Sequence, residues 1–340
     1  MLGHGSFGTV HKVRWLGVEV AMKTFQGSST QDFLREVSIL EGLRHPYILS
    51  LLWYKTDARK CQIIMELMDG DLYSLMQERM EECGNGGPPF SISEATHMML
   101  QVAEGMLFLH EKKIVHRDLK SQNILVKRMK YKEVGFEHVH VKVADFGLSK
   151  TKARSTTYSN QTLNQGTTRW MAPELIRMSS AMDDLAVKHP FKVDAFSFGM
   201  VCFEILTGEV PFSGLRSYEI IQTVLRGGRP QLPDQIPDRL RYLIEACWSS
   251  EPSKRPRFDD ICAELRHLSC AHFMTAETPE LYLKLISTCM ERITLFRIST
   301  SPKFHAEQCN YLVDKLANAV ESARSAEDGA RSLDILKLVF

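Results

Sequence analysis

The stretch His116-Arg117-Asp118-Leu119-Lys120-Ser121-Gln122-Asn123 decides how this sequence is read. Alone it is a polar turn. Four other short stretches change its meaning: Gly3-His4-Gly5-Ser6-Phe7-Gly8-Thr9-Val10, Val20-Ala21-Met22-Lys23, Asp145-Phe146-Gly147 and Ala172-Pro173-Glu174. Each is ambiguous by itself. All five occur in one order and at workable spacings, which chance does not readily supply in 340 residues.

Outward from these stretches, the hydrophobic periodicity changes once. Residues 1–27 read as strands, with Val13 and Trp15, then Val18, Val20 and Met22, alternating at period two. Residues 32–43 read as a helix, and 48–53 and 61–67 as further strands. After Gly70 helical patterns dominate, at 72–82, 93–110, 193–207, 217–225 and 239–248. Strands first and helices later predict an α+β chain with two unequal lobes. Residues 84–89, 127–140 and 151–168 read as loops, the second carrying Lys127, Arg128, Lys130 and Lys132 as a solvated basic cluster. The glycine run would be a dinucleotide fingerprint if a helix followed it. A strand follows instead, which favours a glycine hairpin over phosphates, since glycine lets the backbone approach an anion without a Cβ clash. Lys23 by itself reads either as a surface lysine on a strand or as an ammonium that Glu36, on the predicted helix, holds toward phosphate oxygens.

Composition narrows the class. Hydrophobic residues are 44% and charged residues 24%, as in an ordinary soluble globular protein. Lys+Arg is 42 against Asp+Glu 41, so the formal charge of +1 gives no electrostatic argument for nucleic-acid binding. No apolar run approaches the roughly 18 residues that read as a membrane span. The eight cysteines form no C-x-x-C pair and read as reduced, buried thiols of a cytoplasmic protein.

Together the five stretches resemble the signature set of the eukaryotic protein-kinase family, over about residues 1–268. The resemblance implies a bilobal protein-kinase fold, with a β-rich small lobe over 1–66, a helical large lobe over 70–268 and a helical C-terminal extension over 269–340. It implies ATP and Mg²⁺ as cofactors and a protein as substrate. Phosphoryl transfer asks a protein chiefly for positioning and charge neutralisation, and the resemblance assigns those tasks. Lys23, held by Glu36, meets the α- and β-phosphates. Asp145 and Asn123 hold metal. Asp118 accepts the substrate hydroxyl proton, with Lys120 beside it. Gly3, Gly5, Ser6, Phe7, Gly8, Val10, Ala21, Met65, Glu66, Met68 and Leu125 surround the nucleotide. Among these Met65 guards the back of the adenine pocket, and Glu66, Leu67 and Met68 form the hinge. Asp194 steadies the catalytic loop, and Arg255 pairs with Glu174.

Lys120 and Gly166-Thr167 follow the serine/threonine pattern, whereas Arg169-Trp170-Met171-Ala172-Pro173-Glu174 is similar to tyrosine kinases. This mixture resembles the tyrosine-kinase-like group of serine/threonine kinases, its plant members in particular. Arg117 is expected to pair with a phosphate on the activation loop, residues 145–174, with Ser155 to Thr162 as the candidate sites. A pseudokinase or scaffold that binds nucleotide without transferring phosphate is the alternative. The resemblance also leads us to expect a first strand cut short before Gly3 and an insertion within 127–140. In the extension, apolar stripes at 281–295 and 309–320 predict two helices, to be buried on the large lobe, on each other or on a separate helical partner.

Overall fold

The computed structural model describes residues 2–5, 8–25, 30–57, 60–84, 87–131, 136–146, 150–151, 167–178 and 188–275. Packing divides the chain into two compact units, residues 1–127 with 141–265 and residues 128–140 with 266–340. The tertiary packing below is that of the first unit.

Strands β1 (Gly3–Gly5), β2 (Gly8–Trp15) and β3 (Val18–Phe25) run antiparallel. Leu16 and Gly17, both at positive φ (49° and 85°), make the two-residue connection between β2 and β3. That geometry matches the right-handed twist of paired strands and is cheap only where glycine takes one of the two positions. Helix α1 (Thr30–Leu40) follows, then β4 (Leu51–Asp57) and β5 (Lys60–Met65), giving a five-stranded sheet in the order β1-β2-β3-β5-β4. Phe33, Val37 and Leu40 share one face of α1 and are buried. Phe33 meets Phe25 edge-on at 5.4 Å, and the resulting cluster includes Leu49, Ile63, Met65, Met68 and Ala144.

The remainder is mainly helical: β6 (Gly70–Asp71), α2 (Leu72–Cys83), α3 (Ile92–Glu111), β7 (Ile114–Val115), β8 (Ile124–Tyr131), β9 (Phe136–Val143), β10 (Lys150–Thr151), α4 (Pro173–Met178), α5 (Lys192–Thr207), α6 (Ser217–Leu225), α7 (Asp238–Cys247) and α8 (Phe258–Thr275). Asp71 caps α2 by accepting from the Ser74 N–H, and Ser91 with Glu94 closes a capping box on α3. Helix α5 is buried on every side from Val193 to Leu206, which makes it the central post of the helical part. Its polar members Asp194, Ser197 and Glu204 are therefore obliged to find partners.

Three expectations change. Helix α1 stops at Leu40, where Glu41 and Gly42 turn the chain and leave Leu43 buried beyond the helix. Strand β4 begins at Leu51, and Ile48 makes only an isolated parallel bridge to Val143. The stretch 127–140, read as a loop, instead carries the ends of β8 and β9. Its clustered cations hid the alternation of Val139, Val141 and Val143, all of them buried. The helices expected at 281–295 and 309–320 lie outside the described residues.

Candidate active site

Asp194 organises the catalytic loop. Its buried carboxylate accepts from the backbone N–H of His116 (2.9 Å) and of Arg117 (2.8 Å), and it meets His110 Nε2 at 2.8 Å. Arg117 has φ +70°, a conformation that L residues adopt at a cost, so its N–H cannot continue a regular ladder and the carboxylate takes it up. Burial raises the pKa of Asp194, but its hydrogen bonds, that with His110 foremost, outweigh it, and the net direction is down. His116 accepts from the Asp118 N–H through Nδ1 (3.2 Å), which leaves Nε2–H to donate to the Ala144 carbonyl at 3.0 Å. Ala144 in turn donates to the Asn123 carbonyl at 2.8 Å, so the loop is fastened to the segment that carries Asp145.

Within that frame Asp118, Lys120 and Asn123 converge. Lys120 Nζ lies 3.1 Å from Asp118 Oδ2 and 3.3 Å from Thr167 Oγ1. Asn123 Nδ2 donates to the carbonyl of Asp118 at 2.7 Å and to its Oδ2 at 2.9 Å. Its amide nitrogen being thus engaged, Asn123 has its oxygen to offer a cation.

A second group forms around Lys23, which is buried with Glu36. Lys23 Nζ donates to Glu36 Oε1 at 2.9 Å and to Oε2 at 2.6 Å, and lies 3.7 Å from Asp145 Oδ1. Burial lowers the Lys23 pKa, but the two carboxylates more than offset it, so the net direction is up and the ammonium is retained. Asp145, at φ +60°, keeps its side chain 37% exposed. Oxygen donors from Asp145 and Asn123 are of the kind that hard divalent cations prefer.

The residues expected around a nucleotide fall near this pair. Val10 is opposite Lys23 in the sheet and Ala21 is opposite Met65. Leu125 packs on the cluster that contains Met65 and Met68. Gly5 pairs with Gly8 and Gly3 with Val10, while Ser6 and Phe7 lie outside the described residues. A Cβ on Gly8 would stand 2.1 Å from the Thr24 carbonyl oxygen, so only glycine lets the hairpin lie this close to β3. The Glu66 side chain faces the protein, accepting from the Ser50 N–H at 2.7 Å and pairing with Lys142 at 2.8 Å. Glu174 and Arg255 form a fully buried bidentate pair at 2.6 and 2.8 Å.

Sequence reasoning passed over Glu204. It is fully buried and bonds Ser121 and Trp170. Burial pushes its carboxyl up to about 7 despite those hydrogen bonds and the nearby Lys120 charge. A lone carboxylate inside the apolar run Phe196–Leu206 was the available signal.

The family model described as protein tyrosine and serine/threonine kinase matches residues 1–265. The chain belongs to this kinase family. The light-sensor protein kinase of Ceratodon purpureus is 52% identical over 276 residues, which is 78% of this chain and 21% of that protein. In Arabidopsis thaliana, the serine/threonine-protein kinase CTR1 is 35% identical over 278 residues (78% of this chain, 31% of that one), and the serine/threonine-protein kinase VIK is 36% identical over 281 residues (79% and 59%). The chain therefore spans only a part of each of these relatives. The kinase domain is of the serine/threonine type, similar to plant and tyrosine-kinase-like members, and its family uses ATP and a divalent metal. Among these findings nothing favours the scaffold alternative. Among the described residues no helix is long and apolar enough to cross a membrane.

Proposed function

We propose that this protein is an ATP- and Mg²⁺-dependent kinase that phosphorylates serine and threonine hydroxyls of protein substrates in the cytoplasm. The observation that carries the reading is the position of Lys120 Nζ, within 3.3 Å of both Asp118 and Thr167. An ammonium there balances charge beside the transferred phosphoryl group. Asp118 orients the substrate hydroxyl and takes its proton as the new O–P bond forms and the bond from the γ-phosphorus to the bridging oxygen of ADP breaks. Lys23, fixed by Glu36, is assigned to the α- and β-phosphates, and the residues around Ala21, Met65, Glu66 and Met68 to adenine. Asp145 and Asn123 are assigned to the metal. A bound Mg²⁺ would neutralise phosphate charge. The buried free thiols of Cys61, Cys202 and Cys247 suit a reducing compartment. We take residues 1–268 as the kinase domain, which the family match to residue 265 supports, and 269–340 as a C-terminal extension in which to look for a helical partner.

Metal removal tests the assignment. Transfer of radiolabelled phosphate should stop in excess EDTA, return with added Mg²⁺, and be abolished at any Mg²⁺ concentration in Asp145→Ala. Transfer by the parent in EDTA, or by Asp145→Ala at the parent rate, would contradict it.

A further inference from the structure

Helix α5 reaches the catalytic loop twice. Near its start Asp194 holds the backbone of His116 and Arg117. Ten residues on, Glu204 holds Ser121: Oε1 accepts from Ser121 Oγ at 2.5 Å and Oε2 from the Ser121 N–H at 3.3 Å. Ten helical residues span about 15 Å, so one rigid buried helix pins both ends of a segment with Asp118 between them. The same Glu204 Oε2 accepts from Trp170 Nε1 at 2.7 Å. Trp170 closes the short 3₁₀ helix Thr167–Trp170, whose first residue bonds Lys120. The catalytic loop and this neighbouring segment are thus joined by two rungs, Lys120 to Thr167 on the active-site side and Ser121 to Glu204 to Trp170 beneath it.

We propose that Glu204 is a positioning residue for phosphoryl transfer, its buried carboxylate setting the register between the Asp118 loop and the Thr167–Trp170 segment. The inference rests on the kinase reading above. A carboxylate stripped of water is a poor choice for stability alone, because well-packed apolar groups do as well or better in such places. A carboxylate offers what they lack, two oxygens that fix donors from two separate segments in one geometry. The raised pKa of Glu204 is in keeping with this, since burial costs the charge more than its partners return. Small displacements of a reacting group cost rate rather than nucleotide affinity, since Lys23, Glu36 and Asp145 are held by other contacts.

Steady-state kinetics on the full chain, with ATP varied at a fixed concentration of a peptide substrate, test the proposal well below each protein's melting temperature. Glu204→Ala should lower kcat by about 10- to 100-fold while KM for ATP stays within about twofold. Glu204→Gln, which still accepts from Trp170 and can donate to Ser121 Oγ, should recover most of the loss. Ser121→Ala should share the loss, and combining it with Glu204→Ala should add little, as expected of one coupled unit. A kcat for Glu204→Ala within about twofold of the parent, or a KM for ATP rising in step with the fall in kcat, would overturn the proposal. If Glu204→Ala does not fold, Ser121→Ala and Trp170→Phe decide: parent kcat in both would overturn it, and a loss in both with unchanged KM for ATP would support it. A parent that transfers no phosphate brings down the kinase reading and this inference with it. An active parent with unaffected variants brings down this inference alone.

Discussion

At the scale of single residues, the site is a set of charges kept in place by buried partners. Asp118 is held by Lys120 and Asn123 and is aimed by a loop whose strained Arg117 backbone is paired with Asp194. In the proposed reaction its work is to orient a hydroxyl and take one proton. Asp118→Asn keeps the shape and the contact with Lys120 but removes the basicity, so ATP affinity should be retained and kcat should fall by about 10²–10⁴-fold. Nucleotide titration and steady-state rates on the same preparation check both halves. These residues were legible in the sequence because their stretches resemble the kinase signature set, and phosphoryl chemistry accounts for the types found there: an ammonium, carboxylates and an amide. Glu204 was not, since its partners Ser121 and Trp170 are distant in the chain and only the packing of α5 brings them together.

At the scale of elements, alternation exposed β2 and β3, and the spacing of Phe33, Val37 and Leu40 exposed α1. Strands β8 and β9 were hidden by a cluster of cations in the sequence that made 127–140 look like a loop. The turn after α1 carries a further feature. His45 stacks on Phe108 of α3 at 4.7 Å and 17°, and its Nδ1 accepts from the Tyr47 N–H at 3.3 Å. Burial, helped by Lys142, lowers its pKa from 6.5 to about 4, so the folded protein keeps this imidazole neutral. Its contribution to stability is therefore complete above pH 6.5 and is lost as the pH falls toward 4. Glu204 acts in the opposite sense. Its folded value of about 7 lies above the ordinary 4.5, so its contribution is present below pH 4.5 and lost as the pH rises through 7. Between pH 7 and pH 5 the parent should lose about 2 kcal/mol through His45 that His45→Gln does not lose. Urea denaturation of both proteins at the two pH values measures the difference, and parallel pH dependence would remove His45 from the account.

At the scale of the whole molecule, a five-stranded sheet supplies Lys23, α1 supplies Glu36, and the segments fastened to α5 supply Asp118, Lys120 and Asn123. The α+β division was legible because the change of hydrophobic period after Gly70 is abrupt. The fastening was not, since buried pairs such as Glu174 with Arg255 join positions 81 residues apart. All of these parts serve one claim, that the chain moves the γ-phosphate of ATP to serine or threonine. Phospho-amino-acid analysis tests it most directly: the full chain is incubated with γ-labelled ATP, Mg²⁺ and a generic protein substrate, and the labelled product is hydrolysed and separated. Label is expected in phosphoserine and phosphothreonine, and none when Asp118→Asn replaces the parent. Label in phosphotyrosine alone, or no label from the parent, would contradict it.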